Sequence, residues 1–181
     1  MEIFTREEFF YILFSSLLFG LSFSWSPYKF LEYFFAGLFT IFLKSIFLKF
    51  HGKKFGLWFR YNLPFPILIF SLFTAIVRLR VFLWGFFSIY FFKYERFKFR
   101  SKFPTAKEIG REFVLSSFLL FLLMLVSLIC RIRSLFDASF FILISTLLPF
   151  KEFEGGKIFF YNYTYWASLL IISLLLYIFG W

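Results

Sequence analysis

Long apolar runs free of charge dominate the chain, and they predict helices that cross a membrane. Such a helix needs about 20 apolar residues to span about 30 Å of hydrocarbon. Three charge-free runs of 20, 18 and 24 residues meet this length: Phe9–Tyr28, Phe113–Cys130 and Ile158–Trp181. Leu31–Phe50 is predicted as a fourth span, although it carries Glu32 near its start and Lys44 inside.

Shorter apolar pieces fill the rest of the pattern. Tyr61–Val77 and Val81–Phe92 are separated by two arginines, and they predict a short helical hairpin or a re-entrant excursion. Ala138–Phe150 has only 13 residues, with a proline next to its end. Short segments inside a bundle indicate elements that line a cavity. The predicted fold class is an all-α polytopic membrane protein of about six spans or partial spans, in a single domain over residues 1–181.

Composition supports a lipid environment. Of the 181 residues, 61% are hydrophobic and 17% charged, whereas a soluble domain has about 45–50% and about 25%. A core of this size could not hide 37 phenylalanines. One cysteine, Cys130, excludes an intramolecular disulfide, and one histidine, His51, excludes any site that needs two. The scarcity of Asn, Gln, Met and Cys fits a heat-adapted source.

The net charge of +10 sets the expected orientation. Basic residues gather in two loops, one from Lys49 to Arg60 and one from Lys93 to Arg111. The positive-inside rule places both loops and the N-terminus in the cytoplasm, with anionic lipid as a partner. Arg131 and Arg133 then face outward against the rule. The N-terminal residues lack the features of a cleavable secretory signal, so the first span should stay in the mature protein of the cell membrane.

The second basic loop also shows a period of two. Phe97-Lys98-Phe99-Arg100 alternates rings and bases, which suits an interfacial strand that anchors to lipid. Pairing of such a strand with a partner peptide is a second interpretation. Contact with RNA or a ribosome stays open without specific support, and no DNA partner is expected. The candidate lipid or partner surface comprises Lys93, Arg96, Lys98, Phe99, Arg100 and Lys102.

One segment near the C-terminus resembles a known motif. Thr146 to Lys157 reads T-L-L-P-F-K-E-F-E-G-G-K and is similar to N-x-L-P-x-x-x-x-D-G-G-K of the site-2 protease-like intramembrane metalloproteases, short archaeal type. Glu154 stands where that family has its third zinc ligand, an aspartate, and Thr146 stands where it has asparagine. Further similarities follow the family's order along the chain: Phe4–Glu8, Lys53–Gly56, Lys107–Arg111, Phe159–Asn162 and Trp166.

The departures from that family concern its catalytic residues. In the register that the resemblance implies, the motif positions of H-E-x-x-H fall on Lys44, Ser45 and Leu48. A zinc hydrolase needs three protein ligands, an open position for water and a carboxylate base. Two ligands and the base are missing together. The resemblance therefore implies a pseudoprotease with no cofactor, no metal and no enzymatic activity.

Lys44 admits two interpretations. It lies about 9 Å along the helix axis from the end of its predicted span, so it could extend its ammonium to the cytoplasmic headgroups. Alternatively, if the family geometry persists, Lys44 replaces the metal and pairs with Glu154, because intramembrane charges tend to pair. The pair would join two helices as zinc does in the family.

Other polar residues have simpler predicted roles. Glu32 and Asp137 lie near predicted helix starts, where a carboxylate favours the positive end of the helix dipole. Cys130 is predicted to be an inert packing residue. The sequon at Asn162 should be cytoplasmic and carry no sugar.

Three functions are consistent with the sequence. The leading hypothesis is a non-catalytic protein that binds or scaffolds other integral membrane proteins. An accessory subunit of a large respiratory or translocation complex is the first alternative, and separation of Lys44 from Glu154 would favour it. A lipid enzyme or small transporter is the second, and it would need polar groups that face one cavity. Its scattered candidates are Ser116, Ser117, Ser145 and Thr146.

Overall fold

The computed structural model describes residues 4–24, 26–53, 57–77, 82–91, 105–150 and 153–180. This part of the chain is mostly helical, with seven helices and one two-stranded antiparallel sheet. In chain order the elements are α1 (Arg6–Phe23), α2 (Pro27–Lys53), β1 (Leu57–Asn62), α3 (Phe65–Val77), β2 (Phe86–Phe91), α4 (Ala106–Ile129), α5 (Arg133–Leu147), α6 (Glu154–Tyr161) and α7 (Tyr163–Phe179).

Two helices, α2 and α4, are long and apolar enough to cross a membrane, with 27 and 24 residues. The apolar helices α3 and α7 are shorter, with 13 and 17 residues. The prediction of about six spans in a site-2 protease-like bundle goes further than these two helices and stays a prediction.

Polar caps explain where several helices begin. The Thr105 hydroxyl accepts the Glu108 N–H while the Glu108 carboxylate accepts the Thr105 N–H, which is a capping box for α4. Thr5 caps α1 through the Glu8 N–H. Asn162 caps α7 through the backbone N–H groups of Thr164 and Tyr165. Each cap satisfies backbone donors that the first turn leaves without partners.

The prediction of a helical hairpin in the middle of the chain is wrong in part. Residues 65–77 form α3, but residues 86–91 form β2, which pairs with β1 over six residues from Leu57↔Phe91 to Asn62↔Phe86. The segment of β2 reads F-F-S-I-Y-F, and aromatic and β-branched residues favour a strand. Six residues are also too few for a stable helix.

The apolar run from Ile158 to Trp181 is also divided. Helix α6 ends at Tyr161 and α7 begins at Tyr163, because the capping side chain of Asn162 starts a new helix. The first run is divided as well: α1 ends at Phe23, and α2 begins at Pro27, a residue suited to the first helical turn.

Helices α5 and α6 together run antiparallel to α4. A short turn joins the end of α4 to Arg133 at the start of α5. At the other end, a Cβ added to Gly110 near the start of α4 would lie 2.4 Å from Tyr161 Cβ at the end of α6. The chain therefore follows the length of α4 in two helical pieces, with a break between Leu147 and Glu154.

Candidate functional site

Lys44, Thr146 and Glu154 form a buried polar cluster. The Lys44 ammonium donates to Glu154 Oε2 at 2.8 Å, to Glu154 Oε1 at 3.0 Å and to Thr146 Oγ1 at 2.7 Å. The side chains of Lys44 and Glu154 are only 2% and 1% exposed. An ammonium has three N–H donors, so the cluster satisfies all of them. The ion pair proposed from the sequence is present, and the lysine does not extend toward the end of α2.

The break between α5 and α6 positions this cluster. Thr146 lies in the last turn of α5, and its hydroxyl donates to Ile142 O at 2.7 Å while accepting from Lys44. Glu154 is the first residue of α6. A helix N-terminus favours a carboxylate and a helix C-terminus favours a cation. The two helix ends therefore support the two charges of the pair.

Gly155 allows α6 to approach the end of α5 closely. A Cβ at this position would lie 2.4 Å from the carbonyl carbon of Leu147 and 2.4 Å from the carbonyl oxygen of Leu148. Only glycine lacks this atom, so residue 155 permits the backbone approach that presents Glu154 to Lys44.

Glu154 also connects the cluster to the hairpin. Its Oε1 atom accepts the Phe87 N–H at 3.1 Å. The Lys44 ammonium lies 5.1 Å from the centre of the Phe87 ring, within the range of a cation–π contact. One carboxylate thus joins α2, α6 and β2.

A second buried ion pair, between Lys49 and Glu8, contacts the other strand of the hairpin, β1. Lys49 Nζ donates to Glu8 Oε2 at 2.5 Å, and both side chains are almost fully buried. Glu8 Oε1 accepts the Tyr61 N–H of β1 at 3.0 Å. The Lys49 ammonium lies 3.8 Å from the centre of the Phe4 ring. The placement of Lys49 in a basic loop is therefore wrong, because it lies inside α2 and pairs with Glu8 of α1, whose carboxylate also binds β1.

The carboxylates of Glu8 and Glu154 accept hydrogen bonds from the two residues of one rung of the sheet. Tyr61 and Phe87 are direct cross-strand partners. The N–H group of each residue donates to a carboxylate and not to the carbonyl oxygen of its cross-strand partner. Such a rung is a non-hydrogen-bonded pair, whose amides point outward from the two strands. Glu8 covers the outer edge of β1 at this rung, and Glu154 covers the outer edge of β2.

The phenol of Tyr61 fastens the sheet to α1 and to the approach to β2. It forms a 2.9 Å hydrogen bond with Ser15 Oγ and accepts the Gly85 N–H at 3.0 Å. Burial raises the pKa of this phenol above its ordinary value. The hydroxyl therefore stays neutral and can both donate and accept at physiological pH.

The remaining residues of the implied motif do not join the cluster. Ser45 and Leu48 are buried, and Ser45 Oγ has no hydrogen-bond partner among the described residues. The candidate surface from Lys93 to Lys102 lies outside the described residues, so its lipid or partner role stays a prediction.

Two further predicted roles are resolved by the geometry. Asp137 lies within α5 and accepts a hydrogen bond from Tyr33 OH at 3.1 Å, so it joins α5 to α2. Cys130 is exposed at the end of α4, which contradicts its prediction as a packing residue.

A third polar contact closes the end of α2. His51 Nδ1 lies 3.0 Å from Glu112 Oε2 of α4, and Glu112 is fully buried. This contact brings the end of α2 next to the start of α4. No group of three or more His, Cys, Asp or Glu side chains that could hold a metal occurs in the part of the chain that the structure describes.

Sequence reasoning missed Glu8, Lys49 and Tyr61 as members of the site. The signal for Glu8 was its place at the start of an apolar helix, directly before a charge-free run of 20 residues. No comparable signal marked Tyr61, because the contacts of its backbone amide and of its phenol depend on a register that only the folded hairpin defines.

The chain was compared with protein families, curated proteins and solved structures, and none of them matches it.

Proposed function

We propose that this chain is a non-catalytic integral membrane protein, a pseudoprotease of site-2 protease-like ancestry, that binds other membrane proteins. The observation that carries the proposal is the buried cluster of Lys44, Thr146 and Glu154. These residues stand at positions that the resemblance assigns to the first zinc ligand, a motif asparagine and the third zinc ligand. The ammonium supplies the positive charge that a zinc ion would supply between the same helices.

A buried carboxylate needs a positive partner. An isolated charge in an apolar interior costs several kcal/mol, whether the partner is a metal or an ammonium. A lysine at the first ligand position neutralises Glu154 without metal. It also leaves no lone pair for zinc and no position for an activated water. Binding without cleavage is the function that such a site retains.

The edge of β2 is the proposed binding surface. Strand β2 pairs only with β1 among the described residues, and its six residues carry no charge. The rung at Phe87 lies beside Lys44. Helix α2 rises about 14 Å from Lys44 to its last residue, Lys53. Backbone edges at membrane depth require a partner, because lipid offers no hydrogen bonds. An extended apolar segment of another membrane protein would satisfy them by strand addition.

Purification from native membranes tests the binding role. The tagged protein is extracted in gentle detergent, and its companions are identified by mass spectrometry. A stoichiometric membrane-protein companion supports the proposal. The test variant Ile89→Pro removes one outward N–H of β2 and should reduce the recovery of the companion. A clean monomer contradicts the binding role, and recovery unchanged by Ile89→Pro contradicts the assignment of that role to the edge of β2.

Restoration of zinc tests the ancestry. In the variant Lys44→His/Leu48→His, two imidazoles at i and i+4 lie on one helix face and join Glu154 as ligands. The variant should hold about one zinc per chain, the number of ions a three-ligand site binds, and the native chain none. The matched control Lys44→His/Leu48→His/Glu154→Gln should lose that zinc. Zinc content unchanged by Lys44→His/Leu48→His would contradict the resemblance while leaving the binding role to its own test.

A further inference from the structure

We infer that Glu154 closes the first rung of the β2 edge and so sets how many backbone groups a partner segment can reach. This inference rests on the proposed function, because it concerns the same strand edge. It assigns to Glu154 a role in partner binding that goes beyond neutralising Lys44.

The pairing of β2 with β1 sets the direction of the backbone amides in β2. The Tyr61–Phe87 pair is non-hydrogen-bonded, so the Phe87 N–H points away from β1. Outward amides recur at every second residue, and the next two along β2 belong to Ile89 and Phe91. Glu154 Oε1 accepts the first of these three amides at 3.1 Å. A partner strand that adds to β2 therefore competes with Glu154 for the Phe87 amide.

The ion pair holds Glu154 in this position. Both carboxylate oxygens accept from Lys44, and Gly155 leaves the following backbone in contact with the end of α5. The carboxylate cannot leave Phe87 without also leaving a buried ammonium, which is costly. While the Lys44–Glu154 ion pair is intact, the Phe87 amide is therefore not available to a partner strand.

Two double variants separate the charge from the capping oxygen. Both Lys44→Met/Glu154→Leu and Lys44→Met/Glu154→Gln remove the two buried charges, a change that proteins often tolerate. Glutamine retains a carbonyl oxygen that can accept the Phe87 N–H, whereas leucine retains none. Any difference between the two variants therefore reports the capping oxygen. Equal thermal unfolding midpoints show that both variants are folded.

The readout is photo-crosslinking in native membranes. The photoactive residue p-benzoylphenylalanine replaces Tyr90 of β2 in the native chain and in both variants. One additional backbone hydrogen bond should raise the yield of partner adduct in the leucine variant by about two- to tenfold over the glutamine variant.

Three outcomes decide the question. A higher adduct yield in the leucine variant supports the inference. Equal yields in the two variants, with a partner adduct in all three chains, overturn the capping role and leave the proposed function standing. Absence of any partner adduct, or an adduct only within this chain's residues 92–104, overturns the proposed function and the capping role with it.

Discussion

Among the described residues, Lys44 and Glu154 are each other's counter-charge in their buried cluster, and this predicts how their variants behave. Lys44→Met leaves a buried carboxylate without a cation and should lower the free energy of unfolding by about 3–5 kcal/mol. Lys44→Met/Glu154→Leu removes both charges and should recover most of that loss. Unfolding by SDS in mixed micelles measures both changes. The control Lys29→Met makes the same chemical change at an exposed site and should have little effect. A double variant as unstable as the single one would contradict the pairing.

Arg131 predicts a gain in stability from a single residue. It has a φ of 55° at the end of α4, where Ile132 N donates to Ser127 O and Arg131 N donates to Leu128 O. This is a Schellman motif with a non-glycine residue in the left-handed position. Arg131→Gly should stabilise the chain by about 1 kcal/mol, because glycine lacks the Cβ that disfavours this conformation. Arg131→Ala keeps the Cβ and should bring no such gain, so equal effects of the two variants would refute this reason.

Residue pairing was accessible from the sequence only where a motif placed two residues in a shared site. The resemblance around Thr146 to Lys157 suggested that Lys44 meets Glu154, and these residues are in contact. Lys49 offered no such clue, since a lysine near a helix end usually extends to the headgroups. Its contact with Glu8 depends on how α1 packs against α2, which a single sequence does not specify.

The break between α5 and α6 matters at the scale of elements. Gly155→Ala would place a methyl group 2.4 Å from backbone atoms of Leu147 and Leu148. The backbone of Leu147 and Leu148 cannot rotate away as a side chain can. Helix α6 should therefore shift and move Glu154 away from Lys44. We expect a loss of about 1–3 kcal/mol in the free energy of unfolding, as for other overpacked sites. Gly20→Ala meets its neighbours at 3.0–3.1 Å and should cost less. An equal cost at both sites would show that the approach of α6 is not special.

Element types followed from the sequence where an apolar run was long enough to cross a membrane as a helix. Helices α2 and α4 coincide with long apolar runs, and their caps or flanking prolines are visible in the chain. The apolar run around β2 was misassigned, because short apolar segments fit a buried strand and a buried helix equally well. Its pairing with β1 is a non-local interaction that overrides local pattern.

At the scale of the whole molecule, the positions of Lys53 and Cys130 predict which parts lie on opposite sides of a membrane. The contact of His51 with Glu112 places the end of α2 beside the start of α4. Helix α4 then rises about 36 Å over its length at about 1.5 Å per residue, which exceeds a hydrocarbon core of about 30 Å. Lys53 and Cys130 are both exposed, and they should therefore lie on opposite sides of the membrane.

Thiol labelling in intact cells measures this arrangement. The native Cys130 should react with a membrane-impermeant maleimide from outside, because the basic loops are expected to remain in the cytoplasm. In a Cys130→Ser background, Lys53→Cys should react only after the cells are permeabilised. The reverse pattern would keep α4 as a span and invert the orientation. Labelling of both positions from the same side would show that α4 does not cross the bilayer, and the membrane-depth argument for the β2 edge would then fail.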